Sequence, residues 1–230
     1  MLTSAQALVL LRRHQVRTAT LRTRTAATLA AAWDSLDTYD RSDVERFATL
    51  TQPARNGAHA AAVTQQVAFL STLTGVPGSV DPTLLSVAGD PEAPFLAYWH
   101  ALSQSRGYSE AVTVGRSVAE AEGSHVVASA SRRTGDAYNE NTGQQVTGHR
   151  RALDADACDW CVWVSAQTYD SAESADFGHT FCGCEALPIY DGFDLALEAN
   201  RERFEALDPA LERQFDNASR RKRGVRERPL

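Results

Sequence analysis

Between Thr3 and Leu36 the chain runs without a glycine or a proline. Leu8, Leu11, Leu21, Leu29, Trp33 and Leu36 recur there at a spacing that places them on one broad helical face. A run of this length commits the chain to a long helix near its start. A long helix with one apolar face needs further helices to cover it. The next stretch supplies one. Asp40-Arg41-Ser42-Asp43 punctuates the sequence, with Ser42 or Asp43 as the expected N-cap. Val44, Phe47, Leu50, Ala61, Val67 and Leu70 then keep helical spacing as far as Leu73. Pro53 and Gly57 predict a break or kink inside this second helix.

Residues 74–82 and 89–94 read as loops rich in glycine and proline. Phe95 to Ser105 reads as a short amphipathic helix, and Ser109 to Arg133 as a longer one with Ala111, Val112, Val118, Val126 and Val127 at its apolar positions. Residues 1–135 are therefore expected to form an antiparallel helical domain. After Gly135 the character changes. Asn139-Glu140-Asn141-Thr142, Gly143 and Gly148 suggest a loop. Val146–Leu153 and Glu185–Tyr190 read as two short strands able to pair beside the segment between them. Asp194 to about Ser219 reads as a final helix with Pro209 as a kink, and residues 220–230 as a flexible basic tail. The fold class is mainly α: an antiparallel helical N-terminal region, a small α+β Cys/His module over 136–192 and a C-terminal helix over 193–219.

That module holds all of the chain's 4 cysteines. The pattern is Cys158-x-x-Cys161, seventeen residues, then His179-x-x-Cys182-x-Cys184. Five soft or borderline ligands for a four-coordinate ion make a structural zinc knuckle the first expectation. Cys158, Cys161, His179 and Cys182 are the preferred ligands, with Cys184 as an alternate or a neighbouring thiol. A disulfide-stapled loop, or cysteines packed as thiols, are the competing readings. A redox-active pair has no thioredoxin-like context here, and a catalytic zinc has no marked general base beside it.

Composition narrows the rest. Of 230 residues 43% are hydrophobic, enough for a packed core, and the net charge of −6 gives no overall attraction to nucleic acid. The charge is unevenly spread: Arg12, Arg13, Arg17, Arg22 and Arg24 crowd the first helix, 154–216 is acidic, and 220–228 is basic. No apolar run is long enough to span a bilayer, and the N-terminus lacks the charge order of a signal peptide, so a cytoplasmic origin with reduced cysteines is expected. His14, His59, His100, His125 and His149 stand singly, and Tyr98-Trp99-His100 is expected to be aromatic packing. Neighbouring Ser124 and His125 point too far apart on a helix to work as a dyad. Gly-x-Ser-x-Gly, phosphate-loop and dinucleotide patterns are absent from the sequence, so no catalytic residue is assigned. Thr147-Gly148-His149-Arg150-Arg151 offers either a basic contact for a partner, nucleic acid included, or a strand with an exposed polar face.

The stretch Gly148-His149-Arg150-Arg151-Ala-Leu-Asp-Ala-Asp-Ala-Cys158-Asp-Trp-Cys161, with Tyr169-Asp-Ser-Ala and His179-Thr-Phe-Cys182-Gly-Cys184-Glu-Ala-Leu-Pro188-Ile-Tyr, resembles the MuF-like minor head proteins of tailed bacteriophages. It looks closest to the versions in phages of actinobacteria. The likeness is specific over about 45 residues and extends to the helical region only in general layout. It implies a minor capsid protein acting in head morphogenesis, near the portal or inside the shell, made in the host cytoplasm and carried in the virion in several copies. Its partners would be the portal, the major capsid or the scaffold protein, with packaged DNA as a contact for the basic tail and no membrane. Relatives of this type are often labelled capsid maturation protease, which makes a prohead protease the alternative function. A zinc-dependent DNA-binding module is a further alternative.

Overall fold

A computed structural model describes residues 2–78, 98–99, 102–103, 107–155, 157–172, 184–191, 193–211 and 213–215. The chain forms two compact units, Met1–Gln144 and Gln145–Leu230. The first consists of three long helices: α1 (Ser4–Asp34), α2 (Arg41–Thr74) and α3 (Tyr108–Thr142). The second holds β1 (Val146–Ala152), α4 (Asp159–Ser165), β2 (Glu185–Tyr190) and α5 (Leu195–Glu205). The mainly helical architecture with a small C-terminal sheet is the one expected.

α1 begins in a capping box. The Thr3 hydroxyl accepts from the Gln6 amide at 3.3 Å, and the Gln6 side chain accepts from the Thr3 amide at 2.9 Å. The turn into α2 differs from expectation: Asp40, not Ser42 or Asp43, is the N-cap, accepting from the Asp43 amide at 2.9 Å. The Asp43 carboxylate instead reaches back to the Thr38 amide (2.9 Å) and hydroxyl (2.8 Å). Together they hold Tyr39 at φ 55, a backbone region that costs a tyrosine, while its ring packs on Trp33 at 5.3 Å and Tyr108 at 5.5 Å.

Of the break or kink expected at Pro53 and Gly57, no break occurs; α2 is one continuous helix through both. Proline removes one amide donor and crowds the preceding turn. Side-chain donors gather in that turn: the Thr51 hydroxyl donates to the Phe47 carbonyl (2.9 Å) and the Arg55 guanidinium to the Ala48 carbonyl (2.6 Å). Packing on both neighbours then keeps the helix whole. α3 is likewise longer than expected. Residues 139–142 belong to its last turns rather than to a loop. Tyr138 is buried, its hydroxyl donates to the Val76 carbonyl at 2.6 Å and lies 2.7 Å from the Thr74 hydroxyl. Tertiary contact with the end of α2 outweighs the weak helix propensity of the Asn-rich run. Gly143, in the left-handed conformation at φ 66, ends the helix.

α1 runs antiparallel to α2 and α3, which run in the same direction, as the pairings Arg55–Glu122 and Thr74–Tyr138 require. The upper core gathers Leu29, Trp33, Val44, Phe47, Tyr98 and Ala119. The expected aromatic packing of Tyr98 holds, with its ring 5.6 Å from Trp33 and 4.9 Å from Phe47; His100 lies outside the described residues. A lower core joins Ala58, Ala62, Val63, Val127 and Ala130. α3 approaches α1 closely enough that a Cβ on Gly123 would stand 2.7 Å from backbone atoms of Ala26.

In the second unit β1 and β2 are antiparallel, with Arg150 opposite Leu187 and Ala152 opposite Glu185. Both strands fall where the sequence placed them. The helix expected from Asp194 to about Ser219 is interrupted just ahead of Pro209: α5 ends at Glu205 and helix resumes over 209–211 and 213–215. Asp208 precedes the proline and is disfavoured in the α region; its carboxylate accepts from the Ala210 amide at 2.7 Å and opens a new turn. Of the expected basic tail 220–230, no residue is among those described.

Candidate functional site

The second unit is organised by polar side chains rather than by a large core. His149, Arg150 and Arg151 are all buried, which overturns both readings of this segment, the basic partner contact and the exposed strand face. The physical reason is geometric. β1 is paired on one edge by β2 and on the other by Tyr169 and Asn200, and its residues from Gly148 to Ala152 are buried while Thr147 stays exposed.

Arg150 is the hub. Its Nε donates to the Asp194 carboxylate at 2.7 Å, one Nη donates to the Ser165 (3.3 Å) and Ala166 carbonyls, and the other to the Thr168 hydroxyl at 3.1 Å. Ser165 and Ala166 carry carbonyls at the end of α4, where a cation is favoured. Asp194 is itself the N-cap of α5, its other oxygen accepting from the Leu197 amide at 2.8 Å. One guanidinium thus ties the strand, the end of one helix and the start of another.

The second edge of β1 is closed in two steps. His149 exchanges backbone hydrogen bonds with Tyr169 at 2.7 and 2.9 Å. Gly148 allows that approach, since a Cβ there would meet the Thr168 methyl at 2.8 Å. Two residues on, the Asn200 amide acts as a strand: it donates to the Arg151 carbonyl at 2.7 Å and accepts from the Leu153 amide at 3.0 Å. Arg151, 1% exposed, and buried Glu185 set opposite charges on neighbouring rungs. Burial pushes the Tyr169 hydroxyl up to about 12 against the opposing pull of Arg151 and Arg150. That hydroxyl donates to the Val164 carbonyl at 2.9 Å.

The cysteines sit beside this scaffold. Cys161 and Cys184 are buried in one apolar cluster with Leu153, Ala157 and Val162, flanked by Trp160, Phe204 and Leu207. Cys158 is exposed at the N-cap of α4, one turn before Cys161, and its thiol makes no capping bond. Arg203 fixes the approach to it by donating to the Ala155 (3.2 Å) and Ala157 (2.6 Å) carbonyls. The Cys184 thiol lies 4.0 Å from an Asp154 carboxylate oxygen. None of the three is in a disulfide with another of them. Among the described residues no group of three His, Cys, Asp or Glu side chains is placed to hold a metal ion. His179 and Cys182, the other expected ligands, lie outside the described residues. The structure therefore brings Cys161 together with Cys184. The donor chemistry of the five-residue set, thiolate and imidazole, fits zinc.

The helical unit holds a second polar cluster that the sequence reading missed. Arg55 of α2, 5% exposed at its side chain, pairs with Glu122 of α3 at 2.9 Å, and the Tyr98 hydroxyl donates to the other Glu122 oxygen. Burial first, then the Glu122 charge, drives the Tyr98 phenol well above its ordinary range. The one signal available was an arginine at an otherwise apolar helical position two residues after Pro53. His14 is a packed core residue, stacked on Phe69 at 4.3 Å. Burial and then the Arg133 charge lower the pKa of His59. No protein-family model, curated protein or solved structure matches the chain.

Proposed function

We propose that this chain is a minor capsid protein of the MuF-like kind, acting in head morphogenesis of a tailed phage near the portal or inside the shell. The observation that carries the reading is the Cys158-x-x-Cys161 and His179-x-x-Cys182-x-Cys184 pattern with its flanking residues. It is supported by the arrangement of a long-helix unit followed by a compact unit whose two strands bracket that pattern. In this reading the helical unit packs against the portal, capsid or scaffold protein, and the small unit is a rigid element that shapes the contact. Zinc, held by four of Cys158, Cys161, His179, Cys182 and Cys184, would supply structural cross-linking to a segment with little core of its own. The role is assembly, with no bond-making step assigned to any residue.

The test is co-expression with the portal, scaffold and major capsid proteins of a tailed phage whose head genes include this one. Sedimentation with procapsids and an unchanged capsid-protein mass are expected. Absence from the particles overturns the proposal, and a shortened capsid or scaffold protein transfers the assignment to a prohead protease.

A further inference from the structure

We propose that the outer face of α1 docks an acidic amphipathic helix of a partner protein. The inner face of α1 is spent on α2 and α3. On the outer face Val9, Arg13, Val16, Thr20, Thr23 and Ala27 are all exposed, Val9 by 50% and Val16 by 66%. Their alternating steps of four and three residues are the seam spacing of a coiled coil. The Thr20 hydroxyl is turned back onto the Val16 carbonyl at 2.7 Å, which leaves its methyl group to the seam. The seam runs for about 27 Å at 1.5 Å per residue.

Arg12, Arg17 and Arg24 flank this line at the positions that choose a partner's charge in a coiled coil. All three are exposed, as is Arg13, and none of the four makes an ion pair among the described residues. Two surface arginines elsewhere are answered within the fold, Arg116 by Asp34 and Glu120 and Arg201 by Glu198, whereas α1 gathers four unanswered ones along one line. Residues 2–33 contain no acid at all. A second copy of α1 laid on this face would set arginine against arginine, so the charge pattern selects an acidic occupant. The valines at the crest select a helix with an apolar stripe over a phosphate backbone, which gains nothing from them. The inference is independent of the phage-head reading.

The test uses the full chain and three labelled probes in fluorescence anisotropy. One is a synthetic peptide of about four heptads with leucine at its seam and glutamate at its flanks. The second is its twin with lysine flanks, and the third is a DNA duplex of about 20 base pairs. The glutamate peptide is expected to bind and the lysine peptide not. Val9→Ser with Val16→Ser should weaken binding roughly tenfold, from loss of partly buried apolar area. Arg13→Glu with Arg17→Glu should invert the preference between the peptides. These exposed substitutions leave the bundle folded, which circular dichroism checks. Failure of the glutamate peptide to bind overturns the proposal. So does indifference to the two serines, which would reduce the contact to unspecific charge. Tighter binding of the duplex, with a log–log salt slope near about −4 for four arginines, would assign the face to nucleic acid instead.

Discussion

Arg150→Ala should loosen the second unit while sparing the helical one. Arg150 and Asp194 are 10% and 17% exposed at their side chains and lie 2.7 Å apart. Removing one member of a pair this buried costs about 3–5 kcal/mol, because the remaining charge stays without its counter-ion. Asp194 keeps some water and its bond to the Leu197 amide, which favours the lower end. The Ser165, Ala166 and Thr168 acceptors lose their donor as well. A loss of about 3 kcal/mol corresponds to roughly a 150-fold rise in the opening equilibrium. Native-state hydrogen exchange reads that directly. Amides of α4 and β1 should exchange about two orders of magnitude faster, and those buried in α1–α3 at unchanged rates. Asp194→Asn, which keeps the N-cap, should cost less than Asp194→Ala by about 1 kcal/mol. A rise of less than about threefold, under ~0.7 kcal/mol, would refute the hub assignment. An equal rise throughout α1–α3 would refute the independence of the two units.

Gly123→Ala should destabilise the helical unit by about 1–3 kcal/mol in urea melts, because the new methyl meets the Ala26 backbone at 2.7 Å rather than a movable side chain; a neutral or stabilising result would place α3 farther from α1. Glu122→Gln should cost about 3 kcal/mol by leaving the Arg55 charge buried without its carboxylate, and Arg55→Met in the same background should recover part of it in the same melts. Tyr169 has its pKa raised in the folded state, so its contribution is complete below the ordinary tyrosine value near 10 and is lost as pH rises toward about 12. Tyr169→Phe should flatten that alkaline decline in a pH series of thermal melts. His59 is lowered, so its contribution is present above the ordinary histidine value and fades as pH falls below it, which a ring-proton titration by NMR checks. For the metal, elemental analysis of protein prepared without oxidant should give about one zinc per chain, and Cys161→Ser should speed exchange across 146–172 far more than in α1–α3.

The readable parts of this molecule were those fixed by local periodicity. α1 followed from a run without glycine or proline, and β1 and β2 from short segments flanking the cysteine region. The clustering of cysteines named Cys161 and Cys184, which the fold gathers in one apolar cluster. The errors share a cause. Intrinsic preference misreads Pro53, the 139–142 run and His149-Arg150-Arg151, because in each a specific side-chain partner, local for Pro53 and remote for the other two, reverses that preference. Those partners are the side-chain donors Thr51 and Arg55, the α2 end met by Tyr138, and the Asp194 carboxylate.

The amino-acid order by itself set the helical class, the two strands and the concentration of thiols late in the chain, because these depend on residues within a few turns of one another. Tertiary structure alone decided that a basic strand is interior, that Asn200 completes a sheet edge and that Glu122 faces Arg55. A charge on a strand has no fixed side until its neighbours arrive. Burying it becomes favourable only when acceptors some 15 to 44 residues away along the chain converge on it, as they do on Arg150.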